Sequence, residues 1–304
     1  WTIRGALHLI PSEDFLLYVR ALLPRIARSL RWMNRDGLKA AVADAIVQGI
    51  AEALADGPLT RRALGERVAS NLGKRARPWV EHAWGGLVAI ACMRGLVCFG
   101  PKRGNEVMFV SREEWLPDAR DYTTGEAGRI LLRRYLRAFG PATPQDFCRW
   151  TEMPMPDVEA MWALAEDDLT SVQVGGRPGS LLKEDVRALR TEPSDRNVVR
   201  LLPSFDAYLL GHRDKGHLVD TAHYKHVYRK AGWLSPVVLV DGRVAGVWEL
   251  DRRANRGGIR VEPFTRLSRG VREGIESEAD DIGRFLERTT EVSVVATRWA
   301  VTKR

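Results

Sequence analysis

The sequence predicts an α+β fold in which tandem winged-helix modules are followed by a C-terminal β-rich α+β domain. The segment GPLT at 57–60 recurs as GPAT at 140–143, and Leu64 and Phe147 follow the two copies at the same spacing. After each copy come a short helix, a helix opened by a proline, and two apolar segments around a glycine-rich turn. This order of helix, helix and hairpin is typical of a winged helix, which points to nucleic acid as a partner.

The residues before the first repeat, 1–55, predict one strand and two helices. Residues 1–10 are apolar and strand-like, but nothing nearby in the chain can pair with such a strand. We therefore expect a fragment without its natural N-terminus, in which 1–55 are the remainder of a truncated winged helix. Ser12 is expected to cap a helix to about Arg35, and a second helix is expected over 38–55.

The first complete module is predicted over 56–125. Thr60 is placed to cap its first helix, and Pro78 suits the first turn of the second, where a missing N–H costs nothing. Strands are expected at 96–99 and 106–110, with the hairpin tip at 100–105. The second helix is predicted to present one apolar face, formed by Val80, Trp84, Leu87 and Ala91.

The second module is predicted over 126–197 and the C-terminal domain over 198–304. A linking helix at 126–139 carries Arg129, Arg133 and Arg137 on one face, which we interpret as solvated. Pro156 begins the second helix of this module, and its hairpin spans 171–183. After Pro193–Asp195 the pattern predicts a curved antiparallel sheet and one helix, with strands at 198–202, 236–240, 244–250, 258–264 and 292–297 and the helix at 268–288.

The composition is that of a soluble, basic protein. The net charge is +8, and 39 of the 47 basic residues are arginine, which suits phosphate contacts or reflects a GC-rich genome. The odd set Cys92, Cys98 and Cys148 lacks the spacing of a zinc site or a disulfide framework. No signal peptide, long apolar run or cofactor motif is present, so we expect a cytoplasmic protein without a cofactor or a membrane partner.

The two modules differ in charge, which predicts different roles. The first carries Lys74, Arg75 and Arg77 at the start of its second helix and Lys102 and Arg103 at its hairpin tip, where cations can contact phosphates. The second carries acidic groups on and after the equivalent helix, at Asp157, Glu159, Glu166, Asp167 and Asp168. We expect the first module to bind double-stranded DNA and the second to be a scaffold; the alternative is that the first binds protein.

Three segments resemble one known family. WTIRGALHL at 1–9 is similar to its RGTLHL strand, and LLPSFDAYLLGHRD at 201–214 resembles its LLPxFDxYLLGxRDR motif. VDGRVAGVW at 240–248 is similar to its C-terminal hairpin. The family is that of winged-helix proteins that include bacterial DNA glycosylases for alkylated purines and interstrand cross-links, and the resemblance runs from end to end. It implies tandem winged helices, a C-terminal β-rich domain and a concave DNA-binding face.

The resemblance implies a catalytic Gln-x-Gln or Gln-x-Asp motif upstream of the RGTLHL strand. The glutamines of this chain, Gln48, Gln145 and Gln173, form no such pair. Either the motif lies before Trp1 or this member never had it. The predicted function is therefore a DNA-binding protein resembling glycosylases that hydrolyse the N-glycosidic bond of alkylated or cross-linked purines. The alternative is a non-catalytic DNA-binding protein or transcriptional regulator.

Further site residues follow from the same segments. Asp206 and His8 are candidate catalytic residues, although Asp206 can simply cap a turn and His8 can simply belong to the core. Arg4 and Arg213 are expected to bind DNA, unless Arg213 forms a structural ion pair with Asp214. The histidines at 217, 223 and 226 lack a completing carboxylate or thiolate, so no metal site is expected, and we expect a monomer.

Overall fold

The computed structural model describes residues 1–35, 37–83, 85–191, 198–251 and 257–295. The chain forms two compact units, Trp1–Glu184 and Asp185–Arg304. The helices of the first unit are α1 (Phe15–Arg35), α2 (Ala40–Ala53), α3 (Arg61–Leu72), α4 (Arg77–Glu81), α5 (Gly86–Met93), α6 (Arg112–Trp115), α7 (Thr124–Phe139), α8 (Pro144–Thr151) and α9 (Met155–Leu164). Its strands are β1 (Leu59–Thr60), β2 (Val97–Phe99), β3 (Met108–Ser111), β4 (Leu169–Val174) and β5 (Arg177–Leu182).

The start of the chain does not form the expected strand. Residues 1–10 contain only a 3₁₀ turn at Ile3–Gly5, in which Arg4 and Gly5 have φ angles of 56° and 63°. Positive φ at two successive residues is incompatible with extended backbone. The Ile3 side chain is buried in a hydrophobic core, and the Trp1 ring lies 5.1 Å from that of Phe99. Packing of these side chains takes the place of strand pairing.

Both helices expected before the first repeat are present as α1 and α2. The Ser12 hydroxyl donates to the Glu13 carboxylate at 3.4 Å and does not cap the helix, which follows a 3₁₀ turn at Ser12–Asp14. α1 continues through Pro24, and its apolar positions enter two cores, with Ile26 in one and Leu22 in the other. α1 therefore packs against both halves of the first unit.

The first GPxT segment, 57–60, forms the predicted helix start and, in addition, an edge strand that the sequence pattern does not predict. The Thr60 hydroxyl accepts a hydrogen bond from the Ala63 N–H at 3.2 Å, and Leu64 is fully buried. β2 and β3 form the predicted hairpin. β1 pairs with β3, with Leu59 opposite Phe109, to give the strand order β1-β3-β2.

The second helix of this repeat is interrupted, so the prediction of one continuous helix is wrong, although Val80, Leu87 and Ala91 of its predicted apolar face are all buried. α4 ends at Glu81 and α5 begins at Gly86, while Trp84 lies outside the described residues. The φ angles of Gly85 and Gly86 are 105° and 51°, which breaks the helix. The Arg61 guanidinium donates to three carbonyl oxygens at the break, those of Val80, His82 and Gly85, at 3.1, 3.4 and 3.4 Å.

The second repeat has the same order of elements. Thr143 and Asp146 form a capping box at the start of α8, and Phe147 is fully buried. β4 and β5 are joined at the predicted Gly175–Gly176 turn, where both glycines have positive φ. Ala142 pairs with Ser180 of β5, as Leu59 pairs with β3 in the first repeat. In both repeats, therefore, the residue before the capping threonine pairs with the second hairpin strand.

The second unit contains α10 (Val186–Arg190), α11 (Tyr224–Val227), α12 (Arg269–Leu286) and β6 (Val199–Leu202), β7 (Val237–Val240), β8 (Arg243–Asp251), β9 (Gly257–Pro263) and β10 (Thr290–Val294). The five strands form a sheet of order β10-β9-β8-β7-β6. The expectation of a purely antiparallel sheet is wrong at one pair, because β9 and β10 are parallel. The intervening helix α12 returns the chain to the same end of the sheet, as a parallel pair requires. The predicted boundary at 193–195 and the expected end of the last strand at Thr297 lie outside the described residues.

α12 covers the sheet of the second unit with an amphipathic face. Val271, Ile275 and Ala279 recur every four residues and are buried against Val199 and Ile259 of the sheet. Ser268 caps the helix by accepting a hydrogen bond from the Val271 N–H. The opposite face of the sheet holds a smaller core around Leu209, to which Val237 and Val247 contribute, and the connection between β6 and β7 supplies Leu209, Val219 and Val227 to it.

Candidate nucleic-acid interface

The turn between α3 and α4 presents two cations to solvent. Gly73, with a φ angle of 92°, ends α3, and residues Lys74–Ala76 form a 3₁₀ turn in which Lys74 and Arg75 are exposed. In the described part of the chain, no carboxylate lies within ion-pair distance of either side chain. Arg77 differs, because its guanidinium binds Glu81 at 2.8 Å and Glu66 at 3.4 Å. Of the three basic residues predicted here, two therefore remain available for an anion.

The tip of the β2–β3 hairpin presents a second pair of cations. Arg103 and Glu106 exchange backbone hydrogen bonds of 3.0 and 3.1 Å, which closes the turn around Gly104. The side chains of Lys102 and Arg103 are exposed, and among the described residues neither has a carboxylate partner. The predicted basic residues of this repeat thus form two separate exposed turns, each with two unneutralised charges.

The helix between these two turns faces inward. All eight residues of α5 are buried, and they form a large part of the first hydrophobic core. A helix enclosed in this way cannot place side chains on base edges in a DNA groove. α5 is therefore excluded as a helix that reads bases, whereas the Lys74–Arg75 turn and the hairpin tip are exposed.

Arginines of the linking helix α7 neutralise two carboxylates of the second repeat, Asp168 and Glu184. Asp168 accepts hydrogen bonds from Arg129 at 2.7 Å and lies 3.0 Å from Arg133, and the bond from Arg129 holds the pKa of the Asp168 carboxyl below its usual value. Arg133 and Arg137 also pair with Glu184. The arginine stripe predicted as a solvated face therefore forms ion pairs within the unit.

The loop at the start of the chain holds two further candidate residues. The His8 Nδ1 atom lies 2.8 Å from the Thr2 hydroxyl and 3.1 Å from the Ala6 carbonyl oxygen. Partial burial of the imidazole lowers the pKa of His8, and the positive charge of Arg4 lowers it further. Burial also lowers the pKa of Arg4, opposed by the Glu152 carboxylate. His8 is solvent-accessible and is not part of a core, so one of its two predicted roles is wrong.

Arg25 is a buried residue of this region that sequence reasoning missed. The residue is 8% exposed, and its Nη2 donates to Glu152 at 3.3 Å while Nη1 lies 3.4 Å from the Met93 sulfur. Nε has no hydrogen-bond partner within the described residues. A Cβ atom at Gly5 would lie 2.5 Å from Nη2, at a φ angle of 63°, so a larger residue there would strain the backbone and displace the Arg25 guanidinium. The available signal was an arginine in line with the apolar stripe of α1 at Leu22 and Ile26.

In the second unit, Asp206 has the capping role that the sequence allows. Its carboxylate accepts the Tyr208 N–H at 2.9 Å and begins a 3₁₀ turn at Ala207–Leu210. Arg213 is exposed in the following turn, where Asp214 accepts the Gly216 N–H at 2.8 Å. A catalytic role for Asp206 and a DNA contact by Arg213 remain predictions.

Within the described ranges, no three His, Cys, Asp or Glu side chains are arranged to hold a metal ion. His223 is buried, and its ring stacks on that of Phe264 at a centroid distance of 4.2 Å. No described helix combines the length and apolarity of a membrane span.

Comparison with known proteins decides the family. Residues 1–285 match the family described as DNA glycosylase AlkZ-like. The chain belongs to the AlkZ-like DNA glycosylase family. An interstrand DNA cross-link repair glycosylase of Streptomyces sahachiroi is 32% identical over 299 residues, which cover 93% of this chain and 77% of that protein. The solved structure of the DNA glycosylase AlkZ from the same organism superposes with a TM-score of 0.84 at 31% identity, covering 97% of this chain and 81% of that one.

Family membership confirms the resemblance that the motifs at 1–9, 201–214 and 240–248 indicate. The mixed helix and sheet architecture is shared with the AlkZ structure. The two exposed basic turns can accordingly be interpreted within a family of DNA glycosylases.

Proposed function

We propose that this protein binds double-stranded DNA through its first repeat, as part of a glycosylase that hydrolyses the N-glycosidic bond of alkylated or cross-linked purines. The observation that carries the proposal is the pair of exposed basic turns, Lys74–Arg75 and Lys102–Arg103, whose charges no described carboxylate neutralises. Such cations bind phosphate oxygens and fix the position of a protein on the duplex. The name of the Streptomyces relative, a cross-link repair glycosylase, supports the choice of substrate.

We further propose that each repeat is a winged helix. The first would use α2, α3 and the broken helix α4–α5, with β2 and β3 as its wing; the second would use α7, α8 and α9, with β4 and β5 as its wing. The matching strand pairing of Leu59 and Ala142 supports the equivalence. On this assignment the modules span 56–125 and 126–197, preceded by 1–55 and followed by 198–304.

The burial of α5 favours a repair enzyme over a transcriptional regulator. A regulator reads base edges with an exposed helix, whereas α5 is enclosed and the equivalent helix α9 carries Asp157 and Glu159. Phosphate contacts without base readout suit a protein that must bind damage in any sequence. The second repeat would then support the fold and not the DNA.

The chemistry of the proposed reaction makes few demands on acid catalysis. A purine alkylated on a ring nitrogen is cationic and leaves readily, so the enzyme must mainly position water and stabilise positive charge on the sugar. The glutamine pair that does this in characterised relatives is not among Gln48, Gln145 and Gln173. His8 and Asp206 remain the candidate catalytic residues, and Arg4 and Arg213 remain candidate DNA contacts.

A binding experiment separates the two candidate functions. The affinity of the protein is measured for a set of duplexes of unrelated sequence, with and without one 7-methylguanine, at fixed salt. The proposal predicts similar affinity for all undamaged sequences and tighter binding to the damaged ones. A regulator would instead prefer one sequence by about a thousandfold or more. Such a preference, without an effect of the lesion, would overturn the proposal.

A further inference from the structure

The connection between β6 and β7, residues 203–236, concentrates the exposed aromatic rings of the protein. It contains only short helical turns, and long connections of this kind in compact domains commonly carry function. Six aromatic side chains are exposed among the described residues: Trp115, Phe285 and, in this connection, Phe205, Tyr208, Tyr224 and Trp233. The clustering of four of them in one segment requires an explanation beyond scattered surface hydrophobics.

Phe205 and Trp233 form one contact at the surface of this connection. Their ring centroids are 5.2 Å apart with an interplanar angle of 82°, an edge-to-face arrangement. The residues are nevertheless 47% and 53% exposed. Each ring therefore supports the other while much of its surface remains open to a further planar group.

The backbone holds the two rings in place at a conformational cost. Phe205 has a φ angle of 62° and Ala231, in the turn before Trp233, one of 57°. Non-glycine residues seldom adopt these angles, and such strain concentrates at functional sites. The Arg229 N–H donates to the Trp233 carbonyl oxygen at 2.8 Å, which fixes the second turn.

Three cations in the same connection lack the carboxylate partners found elsewhere in the described part of the unit. Lys225, Arg229 and Lys230 are exposed, and within the described ranges no acidic side chain lies at ion-pair distance from them. By contrast, Arg243 pairs with Asp220 at 2.6 Å and Arg260 with Glu262 at 2.6 Å. Lys230 and Arg229 also lie three and four residues before Trp233. Positive charge without a counter-ion is thus placed beside the aromatic pair.

We propose that Phe205 and Trp233 form a stacking platform for an unpaired nucleobase of the bound DNA, with Arg229 and Lys230 contacting the adjoining phosphates. Aromatic rings accept the face of any base, and neighbouring cations bind the backbone that carries it. The proposal rests on the proposed function, because it assigns DNA as the occupant. An acidic protein partner would engage the cations but would not depend on a base.

The test uses a duplex with one unpaired 2-aminopurine and a fully paired duplex of the same sequence. Trp233→Ala and Phe205→Ala are each expected to weaken binding of the unpaired-base duplex about 5- to 100-fold, with less effect on the paired duplex. Stacking should quench 2-aminopurine fluorescence with the wild-type protein, and Trp233→Ala should abolish the quench. Trp233→Phe, which keeps a ring, should restore most of both effects.

Controls distinguish stacking from folding and from DNA binding as such. Phe285→Ala removes a ring that is 86% exposed in the same unit and should change neither binding nor quench. Phe205→Gly relieves the positive φ, so it should keep the melting temperature while losing the binding. Unchanged binding in Phe205→Ala and Trp233→Ala, with binding still weakened by Lys74→Ala/Arg75→Ala, would overturn this inference alone. Absence of DNA binding by the wild-type protein would overturn both the inference and the proposed function.

Discussion

At position 25 a guanidinium lies among the apolar side chains of α1 and reaches Glu152 at the end of α8. The two partners are not equally buried, because the Arg25 side chain is 9% exposed and that of Glu152 is 28% exposed. Glu152 can be hydrated when the pair is broken, whereas Arg25 already carries an unsatisfied Nε. Most of the contribution of Arg25 to the free energy of unfolding should therefore come from the volume that its side chain fills.

Two substitutions at this residue should differ in stability. Arg25→Met keeps the volume and removes the unsatisfied donor, so the free energy of unfolding should change by less than about 1 kcal/mol. Arg25→Ala leaves a cavity and should cost about 2–4 kcal/mol. Denaturant unfolding of both variants measures the difference. Equal losses would mean that the ion pair, and not the packing, supports this region.

The pKa of His8 gives a second prediction at the residue scale. Partial burial and Arg4 lower it, so NMR titration should give a value below the ordinary 6.5, and Arg4→Ala should raise it. Because the folded pKa is the lower one, stability linked to His8 is present above pH 6.5 and is lost as the pH falls through the lowered value. A pKa at or above 6.5, or one insensitive to Arg4→Ala, would contradict the arrangement of this loop.

The break between α4 and α5 is the element that sequence reasoning did not predict. The spacing of Val80, Leu87 and Ala91 suits one helix, and all three residues are buried. The spacing of the apolar residues therefore predicted their burial correctly but not that the helix is interrupted. Gly85 and Gly86 marked the break in the sequence. The three carbonyls that Arg61 binds there could not be foreseen, because that contact joins residues distant in sequence.

The other elements also divide into those set by local sequence signals and those set by contacts between distant residues. Hairpins were predictable from glycine turns and the caps from Thr60 and Thr143, because these signals are local. The expected strand at 1–10 failed because the tertiary contacts of Ile3 and Trp1 replaced pairing. The parallel β9–β10 pair was implied by the order strand, helix, strand, although the strand pattern alone suggests antiparallel pairing. The basic turns of the candidate site were predictable from the sequence. The burial of Arg25 and the contact between Phe205 and Trp233 were not, because both depend on residues distant in sequence.

Gly86 offers a test of the helix break. An added Cβ would lie 2.3 Å from the Trp79 carbonyl oxygen, at a φ angle of 51°. Gly86→Ala should therefore cost more than about 3 kcal/mol, since backbone must move as well as adopt a strained angle. Gly104→Ala is the matched control, with a φ angle of 59° and no atom within 4 Å, and should cost only about 1–2 kcal/mol. Similar melting temperatures for the two variants would contradict the described break.

At the scale of the whole molecule, DNA binding should depend less on the net charge of +8 than on which cations have no carboxylate partner. Arg129 and Arg137 of α7 form ion pairs with Asp168 and Glu184. The cations of the two basic turns in the first repeat form no ion pair with a described carboxylate. The Gln-x-Gln or Gln-x-Asp pair that the family resemblance implies is not found within residues 1–304. These two features together predict DNA binding with little excision.

An excision assay tests the expectation that this chain excises little. On duplex DNA with 7-methylguanine, this chain should release the base poorly, because one well-placed polar catalytic group is typically worth about a hundredfold or more in rate. Robust excision would show that its catalytic groups lie elsewhere. His8→Ala and Asp206→Asn, each checked for unaltered melting temperature, would then identify them.

Lys74 and Arg75 are expected to bind DNA phosphates, and the salt dependence of duplex affinity measures such contacts. The slope of log K against log salt is measured for the wild-type protein, for Lys74→Ala/Arg75→Ala and for the matched control Arg177→Ala/Lys183→Ala in the second hairpin. We expect the first variant to lose affinity and its slope to fall in magnitude by about 2, one phosphate contact for each cation, while the control changes little. Equal losses from the two variants, or an unchanged slope in the first, would contradict it.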